Sequence, residues 1–276
     1  MESRGDTEGS GRMAVFTDLT EVECRQIATA YRLGRLTSVI GIADGDAETT
    51  FLFRSERGEF IVTLFESGAD PFDLERAFRT METLSAAGVP CPTTFRTDAG
   101  AATVTVSGKL VAVVGFMPGS RPNEITPEKS RALGGCVARI HQTLRRFFDE
   151  GGSGLPKGPV HGALNRDNVF FLGGAVSGVI NFRLRHDDFL VAELGQVLMR
   201  WTARADGMLE NRLVRPLLAG YEEVRRLTAP EWRALPAFVM AAAAAEFGKD
   251  CRLTDFEAGT FKAFHSAKAS IEELQP

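Results

Sequence analysis

His161-Gly162-Ala163-Leu164-Asn165-Arg166-Asp167-Asn168, followed by the turn Gly173-Gly174 and the triplet Ile180-Asn181-Phe182, is the stretch from which the rest of the chain is read. Residues 169–172 and 178–181 are short apolar, strand-like runs. The two glycines between them allow the tight turn of a β-hairpin. A polar loop thus precedes the hairpin and carries His161 and Asn168, while Asn181 stands at the end of its second strand. His161 reads as the residue that fixes the loop backbone, and otherwise as a buried loop histidine. Asn168 reads as a ligand-holding amide, and otherwise as a turn residue ahead of a strand.

Upstream, Thr20 and Glu23 form a capping box that opens a helix to about Tyr31, with Gly34 as its left-handed stop. Strand-like runs follow at 37–42, 50–53 and 59–65, then a helix over 72–87 with Leu74, Ala77, Phe78, Met81 and Leu84 on one face. Gly88 and Pro90 end it. Runs at 102–106 and 110–116 complete an antiparallel sheet of about five strands. Pro118-Gly119 interrupts the pattern, and beyond it the chain reads as mainly helical, with a helix over 127–148, a loop over 151–159 and three or four helices after Phe189. Pattern alone gives an α+β chain in two parts, set here at 13–117 and 118–276 behind a disordered, Gly- and Ser-rich tail at 1–12. Met13 is a candidate alternative start.

The formal net charge of −4 offers no basic excess for nucleic acid or an anionic membrane. Arg145-Arg146 and Arg183 to Arg185 read as solvated faces. No apolar run is long enough to cross a bilayer, and the tail lacks the apolar core of a signal peptide. Cys24, Cys91, Cys136 and Cys251 form no CxxC pair, and the simplest reading is reduced thiols in a cytoplasmic protein. His141, His186 and His265 have no evident partner, and Trp201 and Phe182 read as core.

The order His-Gly-X-Leu-X-X-X-Asn, a turn, then Ile-X-Phe resembles the catalytic and metal loops of the aminoglycoside and choline kinase superfamily, and within it the bacterial homoserine kinases. Further matching stretches are Met13-Ala14-Val15-Phe16-Thr17, Gly41-Ile42-Ala43-Asp44-Gly45, Phe60-Ile61-Val62-Thr63-Leu64-Phe65-Glu66 and Gly88-Val89-Pro90-Cys91-Pro92. The resemblance covers nearly all of 13–252. It implies a two-lobed protein-kinase-like fold, with an antiparallel sheet and one helix in the N-lobe and a mainly helical C-lobe. It implies ATP and Mg2+ as cofactors and a place in threonine biosynthesis. Gly41 to Gly45 would cover the nucleotide phosphates, Phe116 and Met117 would open the hinge beside the adenine, and Glu75 would be the helix carboxylate that pairs with a strand lysine. No lysine stands near Thr63, where that partner is expected. Asn168 and the residue at 181 would hold magnesium.

The departures from the family pattern fall on the site. Ala163 stands in place of the aspartate that orients the acceptor hydroxyl, and loss of a general base costs about 10²–10⁴ in rate. Asn181 replaces the metal-binding aspartate; its amide oxygen can ligate magnesium but brings no negative charge. Asp46 and Glu48 replace amides near the phosphate turn, Glu246 stands where a substrate-binding arginine is expected, and Glu193-Leu194-Gly195 replaces Asp-Leu-Ala. Asp167 is a possible replacement base, and Asp187 and Asp188 read as loop or cap residues. Three functions remain open: an impaired, pseudokinase-like protein that binds a nucleotide or small metabolite; an active ATP-dependent kinase of homoserine or a related amino alcohol; and a scaffold for a protein partner.

Overall fold

The computed structural model describes residues 18–43, 47–144, 154–248 and 253–274. The tail and the 13–17 match, Gly45, Asp46, Arg145-Arg146 and Cys251 lie outside the described residues. The chain divides into two compact units: Met1–Glu75 with Thr94–Phe116, and Arg76–Thr93 with Met117–Pro276.

In the first unit, α1 (Glu21–Ala30) begins at the expected capping box, with Thr20 N–H donating to Glu23 Oε2 at 2.8 Å and Glu23 N–H to Thr20 Oγ1 at 3.3 Å. The left-handed residue after its C-cap Tyr31 is Arg32, φ 54°, and Gly34, φ 82°, comes two residues later than a simple glycine stop requires. The strands β1 (Leu36–Ala43), β2 (Glu48–Ser55), β3 (Gly58–Phe65), β4 (Thr94–Phe95), β5 (Thr103–Val106) and β6 (Lys109–Gly115) form one antiparallel sheet in the order β1-β2-β3-β6-β4. β4 and β5 both pair with β6, at opposite ends of it, so two short segments fill one edge position. Alternation along β3 buries Phe60, Val62 and Leu64, which join Ile27, Tyr31, Phe53 and Val113 in this unit's core.

The helix α2 (Pro71–Ala86) is shared between the units at Glu75 and Arg76, and its predicted face of Leu74, Ala77, Phe78, Met81 and Leu84 is buried. The second unit continues with α3 (Pro127–Leu144), β7 (Lys157–Val160), β8 (Val169–Leu172), β9 (Ala175–Val179), β10 (His186–Phe189), α4 (Leu190–Thr202), α5 (Asn211–Val224), α6 (Ala229–Phe247) and α7 (Leu253–Glu272). β8 and β9 form the expected hairpin, with Gly173 at φ 62° in its turn. Three expectations are corrected. The end of the 151–159 segment is strand, because β7 pairs with β10, and Asp187 and Asp188 are strand residues opposite Pro159 and Gly158. The second hairpin strand ends at Val179, so Asn181 lies beyond it.

In this unit α3 crosses α5 at close range. A Cβ on Gly134 would meet Leu217 O at 1.9 Å, and one on Gly220 would meet Arg131 O at 2.0 Å. Only glycine permits backbones this near. The contact sets His141, two turns beyond Gly134, against Tyr221.

Candidate functional site

The 161–168 loop is held in the second unit by its own backbone and by three elements around it. His161 is buried, and its Nε2–H donates to Ile180 O at 2.9 Å while its Nδ1 accepts Ala163 N–H at 3.2 Å. Those partners fix the neutral Nε2–H tautomer. Burial pushes the His161 pKa below its ordinary value, with nearby Glu193 and the Ile180 carbonyl opposing in part. Its ring packs edge-on against Phe182, itself buried, at 4.7 Å. Trp201 of α4, also core, donates its indole N–H to Leu164 O at 2.7 Å.

Ala163 O accepts from Asn165 N–H at 2.8 Å and from Asn168 Nδ2 at 2.9 Å. Asn168 O in turn accepts Ile180 N–H at 3.0 Å, which ties the loop to the chain just ahead of Asn181. His161, Ala163, Asn168 and the 180–182 triplet are thus brought together. The Ala163 methyl is buried, whereas Asp167 is exposed and its backbone oxygen accepts from Arg121 Nε at 3.2 Å. Asn181 is exposed in the left-handed region, φ 72° and ψ 44°, a conformation asparagine tolerates better than most residues. That backbone reversal is what ends the strand before it.

Gly162, φ 82°, donates its N–H to Glu193 Oε1 at 2.6 Å. Glu193 and His141 are both buried, and His141 Nε2–H donates to Glu193 Oε2 at 2.8 Å. Tyr221 O–H donates to His141 Nδ1 at 2.7 Å, Arg225 Nη1 donates to Tyr221 Oη at 2.9 Å, and Arg225 Nη2 donates to Glu231 Oε1 at 2.8 Å. Glu231 closes the capping box of α6 with Thr228. Burial pushes the Glu193 carboxyl up, but the hydrogen bond from His141, the electrostatic pull of the His141 and His161 rings and the Gly162 amide together hold it below the usual carboxylate range. A fully partnered buried chain therefore runs from the loop to α6. Sequence reading gave His141 no partner and missed Tyr221 and Arg225. Only the close glycine crossing of α3 and α5 could have indicated the pairing.

The other expected site residues are placed within their own units. Gly41 is in β1, in register with Phe51. Glu75 accepts from Arg96 Nη1 at 3.0 and 2.9 Å, so an arginine from beyond the helix engages the carboxylate for which a strand lysine was expected. Thr63, where that lysine was sought, faces Thr50 and Ala112 in register. Glu48 is in β2 opposite Phe65. Phe116 ends the first unit and is exposed; Met117 begins the second, where its side chain lies beside Gly178. Glu246 on α6 pairs with Arg200 of α4 at 2.9 Å. Cys24, Cys91 and Cys136 are buried free thiols, and burial pushes Cys91 up to about 11.

For magnesium the fit is poor. Asn168 donates its amide N–H to Ala163 O and keeps its Oδ1 able to ligate, but Asn181 is neutral, and among the described residues no group of three or more His, Cys, Asp or Glu is placed to hold a metal ion. Two carboxamides do not match the carboxylate-bearing set that a hard divalent cation takes beside phosphate. Among the described residues no helix is long and apolar enough to cross a membrane.

A family model described as "Phosphotransferase enzyme family" matches residues 38–154 and 144–238. Homoserine kinases from Gluconacetobacter diazotrophicus and Sinorhizobium medicae are 33% and 32% identical to this chain; each alignment covers 84% of it, and 86% and 84% of the relative. Among solved structures, an aminoglycoside phosphotransferase from Alicyclobacillus acidocaldarius superposes with a TM-score of 0.70 at 13% identity, covering 96% of this chain and 98% of that one. A microcompartment-associated aminopropanol kinase gives 0.62 at 17% identity, covering 91% and 95%. These structures share the two-lobed α+β protein-kinase-like fold.

Proposed function

Since this chain belongs to the phosphotransferase enzyme family and is homoserine-kinase-like, we propose that it is a catalytically impaired member that binds a nucleotide or small metabolite and acts through binding. The observation that carries this reading is Ala163, a buried methyl on a loop otherwise held in full by hydrogen bonds. A loop so maintained without its base has been kept for shape. The neutral Asn181 and the Glu246–Arg200 pair support the same reading, because one removes charge from the metal position and the other occupies the carboxylate expected to be a substrate arginine. Within the family the base orients a hydroxyl and the metal offsets phosphate charge, while transfer itself rests on positioning and electrostatics. Here the positioning backbone persists without the charges.

A second reading, an active kinase of homoserine or a related amino alcohol, draws on the exposed Asp167 carboxylate in the same loop and on the names of the relatives. A coupled ADP-release assay with Mg·ATP and homoserine, aminopropanol or other amino alcohols separates the two. The expected result is no acceptor-dependent ADP release from the native chain. Release should appear when Ala163→Asp and Asn181→Asp are introduced together. Turnover by the native chain in the ordinary enzymatic range of about 1–10³ per second would overturn the reading.

A further inference from the structure

α1 and β1 border a cleft of about 1100 Å³, and its described walls all belong to the first unit. In the ladder Val39 and Gly41 stand opposite Phe53 and Phe51, which lie in the core with Ile27 and Ala28 of α1. Residues paired across an antiparallel ladder share a face, so Val39 and Gly41 turn toward α1. Cys24, Ala28 and Phe51 are buried at the apolar floor of the cleft, and Leu36 and Val39 continue that floor toward solvent. Among the described residues expected at the nucleotide site, Gly41 alone borders this cleft.

Charge is divided along it. Asp18 and Glu21 stand where α1 begins, and Glu21 pairs with Arg25 at 3.3 Å. Arg32, Arg35 and Arg57 stand beyond the other end of this 10-residue helix, about 15 Å away. Arg57 Nη1 donates to Arg32 O at 2.6 Å, and a Cβ on Gly34 would meet Arg57 Cγ at 3.2 Å, so the Arg57 side chain spans the turn that closes this end. Among the described residues its guanidinium has no carboxylate partner. Arg32 pairs with Asp98, and Arg35 with Glu56 at 2.9 Å, but both pairs are exposed. Exposed pairs contribute little, so either arginine can turn to another anion at small cost.

We propose that this cleft binds a free medium-chain acyl carboxylate, with its head at Arg57 and its chain over the apolar floor. A guanidinium offers the fork of donors that matches a carboxylate, and Arg32 and Arg35 add charge beside it. An unbranched chain asks no hydrogen bond of the floor, and the Ala28, Val39 and Phe51 side chains offer none. The volume suits a ligand of this size, since small-molecule pockets run to about 300–1,000 Å³. With the head at the arginine end, the carboxylate is kept away from Asp18 and Glu21. The site goes beyond the role argued for the 161–168 loop and does not depend on it.

Calorimetric titration of the full-length chain with decanoate, octanoate, decanol and decyltrimethylammonium tests the site. Decanoate should bind, and octanoate should bind about tenfold more weakly through the loss of two buried methylenes. Decanol, which keeps the chain without the charge, should be about tenfold or more weaker than decanoate, and the cation should not bind. Arg57→Gln should weaken decanoate about tenfold or more, with Arg57→Lys between it and the native chain. Arg57 also holds Arg32 O, so circular dichroism melts check that its variants fold. Thr29→Trp, a change at an exposed position of the cleft wall, should abolish binding and leave that bond in place. Failure of the native chain to bind decanoate would overturn the site, as would equal affinity for decanol or undiminished binding by either folded variant. Two other occupants are read separately, by co-sedimentation with phosphatidylcholine–phosphatidylglycerol vesicles and by analytical ultracentrifugation. Binding confined to the vesicles would assign the arginines to a lipid surface, and a dimer broken by Thr29→Trp would give the cleft to a second copy; either result would overturn the proposal.

Discussion

Ala163 O accepts two hydrogen bonds and His161 bridges Ala163 N–H to Ile180 O, so the loop holds its course through groups that the 163 side chain does not affect. This explains how a methyl can stand at that position without collapse. The motif was legible because its geometry depends on glycine, histidine and asparagine at fixed spacing. The network behind it was not, because His141 and Tyr221 are 80 residues apart. Tyr221→Phe keeps the ring against His141 but strips a donor from His141 and an acceptor from Arg225. Urea denaturation should show a loss of about 1–3 kcal/mol. His161 gives a pH-dependent signature. Its folded pKa lies below the ordinary 6.5, so under mildly acidic conditions the unfolded chain takes up a proton that the folded chain refuses. The His161 contribution is therefore constant above about pH 6.5 and is lost progressively as pH falls from there toward the folded pKa. Denaturant titrations at pH 7.5 and 5.5 should give a smaller pH-dependent loss for His161→Gln than for the native chain. Equal losses would mean that the imidazole protonates alike in both states. Glu193 acts further down the scale: its folded carboxyl is depressed, so the stability it adds is present above its ordinary 4.5 and disappears as pH drops through the lower folded value.

Helices and the main hairpin were readable from the periodicity of apolar residues and from glycine turns, and the capping box at Thr20 was readable from two residues. The β7–β10 ladder was not. Lys157-Gly158-Pro159-Val160 contains a glycine and a proline, and His186-Asp187-Asp188-Phe189 is mostly charged, so neither shows the alternation that marks a strand; they pair because the loop and α4 hold them side by side. The α3–α5 crossing carries the strongest demand on an element. Gly134→Ala and Gly220→Ala each put a methyl against a backbone carbonyl that lies within a helix and can move only with it. Each change should destabilise by about 1–3 kcal/mol or more and, by parting His141 from Tyr221, should perturb the loop through Glu193. Gly135→Ala is the control: its added Cβ would meet nothing nearer than 3.4 Å, so its melt should stay near that of the native chain. Alanine favours a helix over glycine by about 1 kcal/mol, so a loss at Gly135→Ala as large as at the other two would show that the close crossing does not govern these positions.

At the scale of the chain, division into compact units runs through the middle of α2, between Glu75 and Arg76, where no proline, glycine or change of composition marks a break. Local sequence signals report backbone preference, whereas membership of a unit reports what a segment packs against, and a continuous helix can serve two cores. The second unit uses the Arg76–Thr93 segment through specific bonds: Val179 N–H donates to Pro90 O at 2.8 Å, Arg139 Nη1 to Gly88 O at 3.4 Å, and Arg185 to Thr80. A fragment that begins at residue 117 lacks every one of these acceptors. It would expose Val179, fully buried in the intact chain, at the base of the hairpin that leads to Asn181. Residues 71–276 retain them, and that fragment should melt cooperatively, whereas 117–276 should lose near-ultraviolet dichroism and hydrogen-exchange protection at Val179 and Ile180 first. Equal melting of the two fragments would show that the helical unit closes without α2, and that the α2 segment contributes nothing to the position of the loop.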